Sequence, residues 1–373
     1  MIFFFYELDL QYMKDMFFLR LERLINMFQD MTLDELQTKA EQGKISIIDV
    51  RSPSEYEDSR IPGSVNIPVF DDAERKEVGT IYKQESPKAA RERGIEIFSA
   101  KLPDFIKQVK DLKGEKVVYC WRGGMRSKAA ATVVDLAGTP VYRLNGGYRT
   151  YRNWVVETLE NFDMKPRAFV LNGYTGTGKT EILQQLNSEG YPVLDLEGMA
   201  NHRGSIFGQV GRRPHNQKTF DSLLLQELVN YQNGEYVLME GESKRIGKAV
   251  LPDFLMNKKE DGVQFYIELP REERIRVILD EYEPWNYPEQ CLEAFHKIKK
   301  RIHTPVAKEI EEALKTGDYK TAVDRLLDYY YDPRYQHSIT QYAEDHIIPI
   351  KAESVEDATM QIKQLLAEMN VVQ

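Results

Sequence analysis

Cys120 opens the run Cys120-Trp121-Arg122-Gly123-Gly124-Met125-Arg126-Ser127, directly after the stretch Lys116-Val117-Val118-Tyr119 and ahead of a helical pattern over Ser127 to Leu136. At such a strand-to-helix turn, backbone N–H groups and a helix N-terminus converge on the sulfur, while Arg122 and Arg126 add positive charge. These surroundings favour the thiolate, which is the nucleophilic form of cysteine. Gly123 and Gly124 supply backbone freedom for a loop that wraps an anion, and Ser127 adds a hydroxyl at its far end. Cys120 is therefore the candidate nucleophile, with Arg122, Gly123, Gly124, Arg126 and Ser127 as its anion loop.

A second chemical loop is Gly173-Tyr174-Thr175-Gly176-Thr177-Gly178-Lys179-Thr180, which fits G-x-x-x-x-G-K-[ST] and lies between a strand pattern, Ala168 to Leu171, and a helix from about Thr180. Amides of Gly173, Gly176 and Gly178 would cradle a diphosphate, Lys179 would neutralise it, and Thr180 is placed to ligate Mg2+. Glu240 and Glu242, after the strand pattern Tyr236 to Met239, are candidate supporting carboxylates; Asp195 and Glu197 end another strand with a weaker claim. Whether a metal binds, and whether ATP occupies the loop, is open at this level.

Three basic or glycine-rich segments could meet a polyanion: Asn201 to His215 with Arg203, Arg212 and Arg213, Ser243 to Lys248 with Lys244 and Arg245, and Lys297 to His303. Lys and Arg at helical spacing are more often a solvated face. Cys291 has no activating neighbour in sequence and is assigned to packing. Two cysteines without metal-type spacing give neither a disulfide framework nor a zinc site, which points to the cytoplasm.

These loops need parallel sheets to hold them. Ile45 to Val50, Lys116 to Tyr119 and Val141 to Leu144 alternate with helical patterns, implying a parallel α/β domain over residues 31–155. A second α/β domain spans 156–373 and is mostly helical after about Arg271. Residues 1–30 form an N-terminal extension, read as a peripheral amphipathic segment or an over-long start, with Met27 or Met31 as the beginning. Charges interrupt its apolar runs, so no span of about 18 apolar residues exists and no membrane insertion is expected. With 373 residues, 42% hydrophobic, 29% charged and a net charge of −9, the chain suits two globular domains and disfavours non-specific coating of nucleic acid.

The first domain resembles the rhodanese superfamily through Asp49-Val50-Arg51, Glu55-Tyr56, Ile61 to Pro68 and Leu144-Asn145-Gly146-Gly147-Tyr148. Arg60 departs from the histidine common before the Ile-Pro-Gly segment. The five residues between Cys120 and Arg126 make the loop one longer than in that family's ordinary sulfurtransferases and similar to the rhodanese-fold phosphatases. A phosphate-bearing reactant such as selenophosphate would suit it.

With the second loop, the whole resembles the tRNA 2-selenouridine synthase family. The resemblance implies a rhodanese-like α/β domain followed by a P-loop NTPase-like α/β domain with a mostly helical C-terminal part. It also implies geranyl diphosphate and selenophosphate as co-substrates, and conversion of wobble 2-thiouridine in tRNA, first S-geranylated, to 2-selenouridine. Cys120 would handle selenium, and the selenophosphate-producing enzyme is a candidate partner. Two other readings stay open: a P-loop kinase or ATPase carrying a rhodanese-type phosphatase or arsenate-reductase module, and a nucleotide-regulated RNA-binding protein.

Overall fold

The computed structural model describes residues 28–335 and 346–369, and the chain divides into two compact units, residues 1–157 and 158–373. The reading of the N-terminal extension falls, for residues 1–27, outside the described residues.

The first unit is built on β1 (Gln29–Met31), β2 (Ile45–Asp49), β3 (Val65–Asn66), β4 (Glu115–Tyr119) and β5 (Tyr142–Leu144). All pairings are parallel, in the order β1-β5-β4-β2-β3, so β4 is central and Cys120 emerges at its carboxyl end. In open parallel sheets that edge is where ligands bind. The crossovers are α1 (Leu33–Glu41), α2 (Pro53–Asp58), α3 (Asp72–Gln84), α4 (Pro87–Asp111) and α5 (Met125–Leu136), and α6 (Gly147–Glu160) follows the last strand. Ile48, Val50, Val118, Phe98, Phe105 and Val134 fill the core between sheet and helices.

Gln29 and Asp30, expected from sequence to lie in the extension, belong to β1, where Arg143 clamps Asp30 through two 2.7 Å hydrogen bonds. Gln-Asp-Met carries no β-branched residue, and its pairing with β5 comes from a partner more than a hundred positions away.

The second unit has the parallel order β12-β11-β6-β8-β7, from β6 (Arg167–Gly173), β7 (Val193–Leu194), β8 (Tyr236–Glu240), β11 (Val263–Glu268) and β12 (Ile347–Lys351). A small antiparallel pair, β9 (Arg245–Ile246) and β10 (Ala249–Val250), stands apart. Here too the loop of interest leaves a central strand, β6, and runs into α7 (Lys179–Ser188). The remaining helices used below are α8 (Leu196–Ala200), α9 (Gln217–Tyr231), α10 (Asp253–Glu260), α11 (Arg271–Tyr282), α12 (Pro288–Ile298), α13 (Thr304–Thr316), α14 (Tyr319–Leu326) and α15 (Val355–Glu368).

The C-terminal part is mostly helical as expected, except that β12 returns to the sheet edge beside β11. Its Pro349 removes one ladder donor, which an edge strand tolerates, and this masks the strand in sequence. Cys291 is 4% exposed among Phe207, Phe295 and Ile298, and burial pushes its thiol up to about 11, as a packing residue should behave. Among the described residues no helix is long and apolar enough to cross a membrane.

Candidate functional site

The rhodanese landmarks build the floor under Cys120. Arg51 is 1% exposed and grips the fully buried Asp49, donating as well to the Ser59 carbonyl, while its guanidinium lies 4.6 Å from the Tyr148 ring centroid. Tyr148 N–H in turn donates to the Cys120 carbonyl at 2.9 Å. On the other side Tyr119 takes a hydrogen bond from Ile61 N–H at 3.2 Å and meets the Ser64 hydroxyl at 3.0 Å, which ties the Ile61 to Pro68 segment to the end of β4. The Asn145-Gly146-Gly147 turn packs against the cysteine loop so closely that a Cβ on Gly147, whose φ is +63°, would sit 2.2 Å from the Cys120 carbonyl oxygen.

Cys120 itself is only 4% exposed and lies at the base of a cleft of about 760 Å³. Its Sγ is 3.2 Å from Ser127 Oγ, and the Ser127 hydroxyl also reaches the Gly124 carbonyl at 3.2 Å. Ser127 can thus accept from a thiol while donating to Gly124, and turn its hydrogen to the sulfur once a thiolate forms.

The two loop arginines differ. Arg122 is exposed and lines the cleft, whereas Arg126 is half-buried in a two-bonded ion pair with Glu55, which Arg75 approaches at 3.7 Å. Burial works to raise the Glu55 carboxyl, but Arg126 and Arg75 outweigh it and hold it below the usual carboxylate range. Both arginines looked equivalent by spacing alone; Arg126 is committed to a carboxylate 71 positions away.

In the second unit the glycine loop is held from several sides. A Cβ on Gly178, with φ +69°, would lie 2.5 Å from Val355 Cγ2 on α15. Thr177 is fully buried and donates to the Tyr174 carbonyl at 2.9 Å. Arg274 of α11 donates to the Thr175 carbonyl at 2.9 Å and pairs with Asp332 at 2.6 Å. Lys179 Nζ turns back to the Gly173 and Tyr174 carbonyls at 3.3 and 3.4 Å, over the cradle.

The carboxylate that meets this loop is Glu197, whose claim from sequence alone is weaker than that of Glu240 or Glu242. Thr180 Oγ1 donates to Glu197 Oε2 at 3.0 Å, and burial together with Glu242 and Glu281 pushes the Glu197 carboxyl up to about 9. Glu240 is fully buried rather than solvated, and its Oε2 accepts the Leu196 N–H at 2.9 Å, so it fixes the short helix α8 that carries Glu197. Glu242 stays near, beside Gly204 and Glu197. Sequence could have favoured Glu197 only through Asp195, which caps α8 by accepting from Gly198 N–H at 2.7 Å.

Arg203 is not a surface contact as expected: it is 10% exposed at its side chain, bound to Glu281 at 3.1 Å and to the Val210 carbonyl, and lies over Tyr282. Arg213 and Arg245 are exposed and Arg212 half-buried, while Lys244 pairs with Asp253 at 2.6 Å on the surface. Among the described residues no three His, Cys, Asp or Glu side chains gather as a metal cluster. Thr180 with Glu197 is still a fitting pair for Mg2+, an ion that takes few protein ligands and completes its shell with phosphate oxygens and water.

Fold and sites together define an enzyme class in which a rhodanese-type cysteine module is joined to a P-loop module. A rhodanese-like domain profile matches residues 32–153, and the profile described as the tRNA 2-selenouridine synthase AAA domain matches residues 166–365. The tRNA 2-selenouridine synthase of Sulfurovum sp. is 32% identical over 83% of this chain and 93% of its own length, and that of Shewanella woodyi 30% identical over 80% and 89%. This chain belongs to the tRNA 2-selenouridine synthase family.

Proposed function

We propose that the chain converts wobble 2-thiouridine of tRNA to 2-selenouridine in two steps. In the first, the thiocarbonyl sulfur bonds to C1 of geranyl diphosphate while the C1–O bond breaks, diphosphate leaves with the electron pair, and the base loses its N3 proton. Amides of Gly173 to Thr180 and the Lys179 ammonium take up the charge on the leaving group. Thr180 and Glu197 would hold Mg2+, which when bound neutralises further charge there.

In the second step the Cys120 thiolate bonds to the phosphorus of selenophosphate as the P–Se bond breaks, the released selenide bonds to C2 as the C2–S bond breaks and geranylthiol departs, and water then cleaves the S–P bond to return the thiol and phosphate. Alkylation makes sense of the order, because a sulfide leaves poorly and an S-alkyl group leaves as a thiol. Cys120 is the nucleophile of this selenium step, Ser127 its hydrogen-bond partner, and Arg122 with the amides of Gly123 and Gly124 faces the phosphate. Arg212, Arg213, Lys244 and Arg245 would contact the tRNA backbone.

The observation that carries the reading is that one chain places a cleft-bottom cysteine and a lysine-bearing phosphate cradle each at the carboxyl end of a central parallel strand. Nucleoside mass spectrometry tests it, on 2-thiouridine tRNA given geranyl diphosphate and then selenophosphate. The S-geranyl nucleoside followed by 2-selenouridine supports it; unchanged 2-thiouridine with active donors refutes it. The loop amides with Lys179 suit a nucleotide's phosphates equally, and Thr180 with Glu197 its Mg2+, so ATP turnover without tRNA would favour the kinase or ATPase reading instead.

A further inference from the structure

A second hollow, of about 410 Å³, lies between α3 and α4 against the first turn of α5. It adjoins the Cys120 cleft, with Arg75, Val78, Tyr82, Met125 and Arg126 lining both. Its inner wall is hydrocarbon, from Val69, Phe70, Ala90, Phe98 and Ala129. At its rim Tyr82, Ile95 and Met125 are 60%, 69% and 59% exposed, which places three of the most exposed large apolar side chains among the described residues around one opening. Scattered exposed apolar residues need no explanation, but a cluster around a concave site marks a surface built for an apolar ligand.

The boundary between hollow and cleft is polar. Arg75 and Arg126 stand there against the single carboxylate of Glu55, which pairs with Arg126 and lies 3.7 Å from Arg75, so one positive charge is balanced and one is left over. Because the inner wall of the hollow is hydrocarbon, a molecule spanning the two spaces would need a polar part over Cys120 and an uncharged hydrocarbon part beyond the arginines. The diphosphate of a prenyl donor is assigned instead to the Gly173 to Thr180 loop, which carries its own lysine.

We infer that this hollow binds the alkyl chain of an S-prenylated nucleoside, holding the sulfur-bearing carbon over Cys120. The inference rests on the two-step reading above and names where the intermediate's hydrocarbon goes during the second step. It also gives the chain a way to hold the alkylated base in preference to the unmodified one: a ten-carbon chain buries several methylenes, each favourable on leaving water. The short, polar 2-thiouridine has nothing to place there.

The test uses the full chain and a synthetic anticodon stem-loop carrying S-geranyl- or S-methyl-2-thiouridine, with selenophosphate as donor. Ile95→Asp puts a charge at the rim of the hollow from an exposed position, and Ala90→Phe fills the hollow from within. For the S-geranyl RNA each is expected to raise KM for selenation about ten-fold or more, with the S-methyl RNA reaction and the first-step alkylation within two-fold of wild type. Equal effects on both RNAs, or none on either, would overturn the inference.

A photolabelling arm separates this from the functional reading itself. A diazirine-bearing S-geranyl-2-thiouridine nucleoside should label peptides within Asp72–Gln84 and Pro87–Asp111, and a diazirine geranyl diphosphate should not. If wild-type protein fails to selenate the S-geranyl RNA yet the nucleoside labels those helices, the two-step reading falls and the hollow stands. Label confined to other peptides, or the same label from the diphosphate, overturns the hollow's assignment whatever the activity.

Discussion

The Thr180 hydroxyl donates to Glu197 Oε2 at 3.0 Å, joining the last residue of the glycine-rich loop to a carboxylate that burial pushes up to about 9. Glu197 sits on a five-residue helix fixed by Glu240, so a chain of two buried glutamates positions one oxygen beside the phosphate cradle.

This relationship predicts a pH signature. A carboxyl raised from its ordinary 4.5 to about 9 is protonated in the fold and ionised in the unfolded chain between those values. Its contribution to stability is therefore fully present below pH 4.5 and is lost as pH rises towards 9. Glu197→Gln removes the ionisation, so its urea midpoint should exceed wild type at pH 8 and match it at pH 5. In the same variant alkylation of 2-thiouridine tRNA should fall at least about ten-fold, read by nucleoside mass spectrometry.

Lys179→Ala should lower the first-step alkylation rate by about 10²- to 10³-fold, the usual loss when one stabilising donor to a developing anion is removed. Selenation of an S-geranyl RNA supplied ready-made should survive within a few-fold. Equal loss of both steps would place Lys179 outside the diphosphate site.

Cys120→Ser should show the reverse, keeping alkylation within two-fold while losing at least about 10³-fold in selenation, because the hydroxyl is a far poorer nucleophile near neutral pH. Accumulated S-geranyl nucleoside in the product tRNA is the expected signature. A fully active variant would remove Cys120 from the mechanism.

Arg51→Met leaves Asp49 as an unpaired carboxylate in a fully buried position and also strips the Tyr148 ring of its cation. Destabilisation of the first unit by about 3–5 kcal/mol is expected. Urea denaturation monitored by the fluorescence of Trp121, which lies against Tyr148 at a centroid distance of 5.5 Å, would measure it.

Among the basic residues, Arg213→Ala and Arg245→Ala should each weaken tRNA binding and reduce the salt slope by about one, as expected for a single phosphate contact. Arg203→Ala should instead lower the urea midpoint, because it leaves the Glu281 carboxylate without its ion-pair partner. Filter binding across a salt series, beside unfolding curves, distinguishes the two behaviours.

Both chemical loops were legible from sequence because each is a contiguous run whose glycines, cations and nucleophile must follow one another to wrap an anion between a strand and a helix. The parallel α/β character was legible for a similar reason: strand and crossover patterns alternate along the chain. The partners that decide what those loops can do come from far away in sequence. Only the folded chain brings Glu55 to Arg126, Glu281 to Arg203, and Arg274 of α11 to the Thr175 carbonyl. It likewise exchanged the expected roles of Glu240 and Glu197, since a carboxylate's position at a strand end does not reveal whether it turns to a neighbouring helix's N–H or to the loop. Local order determines which groups can react; the packing of distant elements decides which charges are already spent, and the hollow beside Cys120 exists only in that packing.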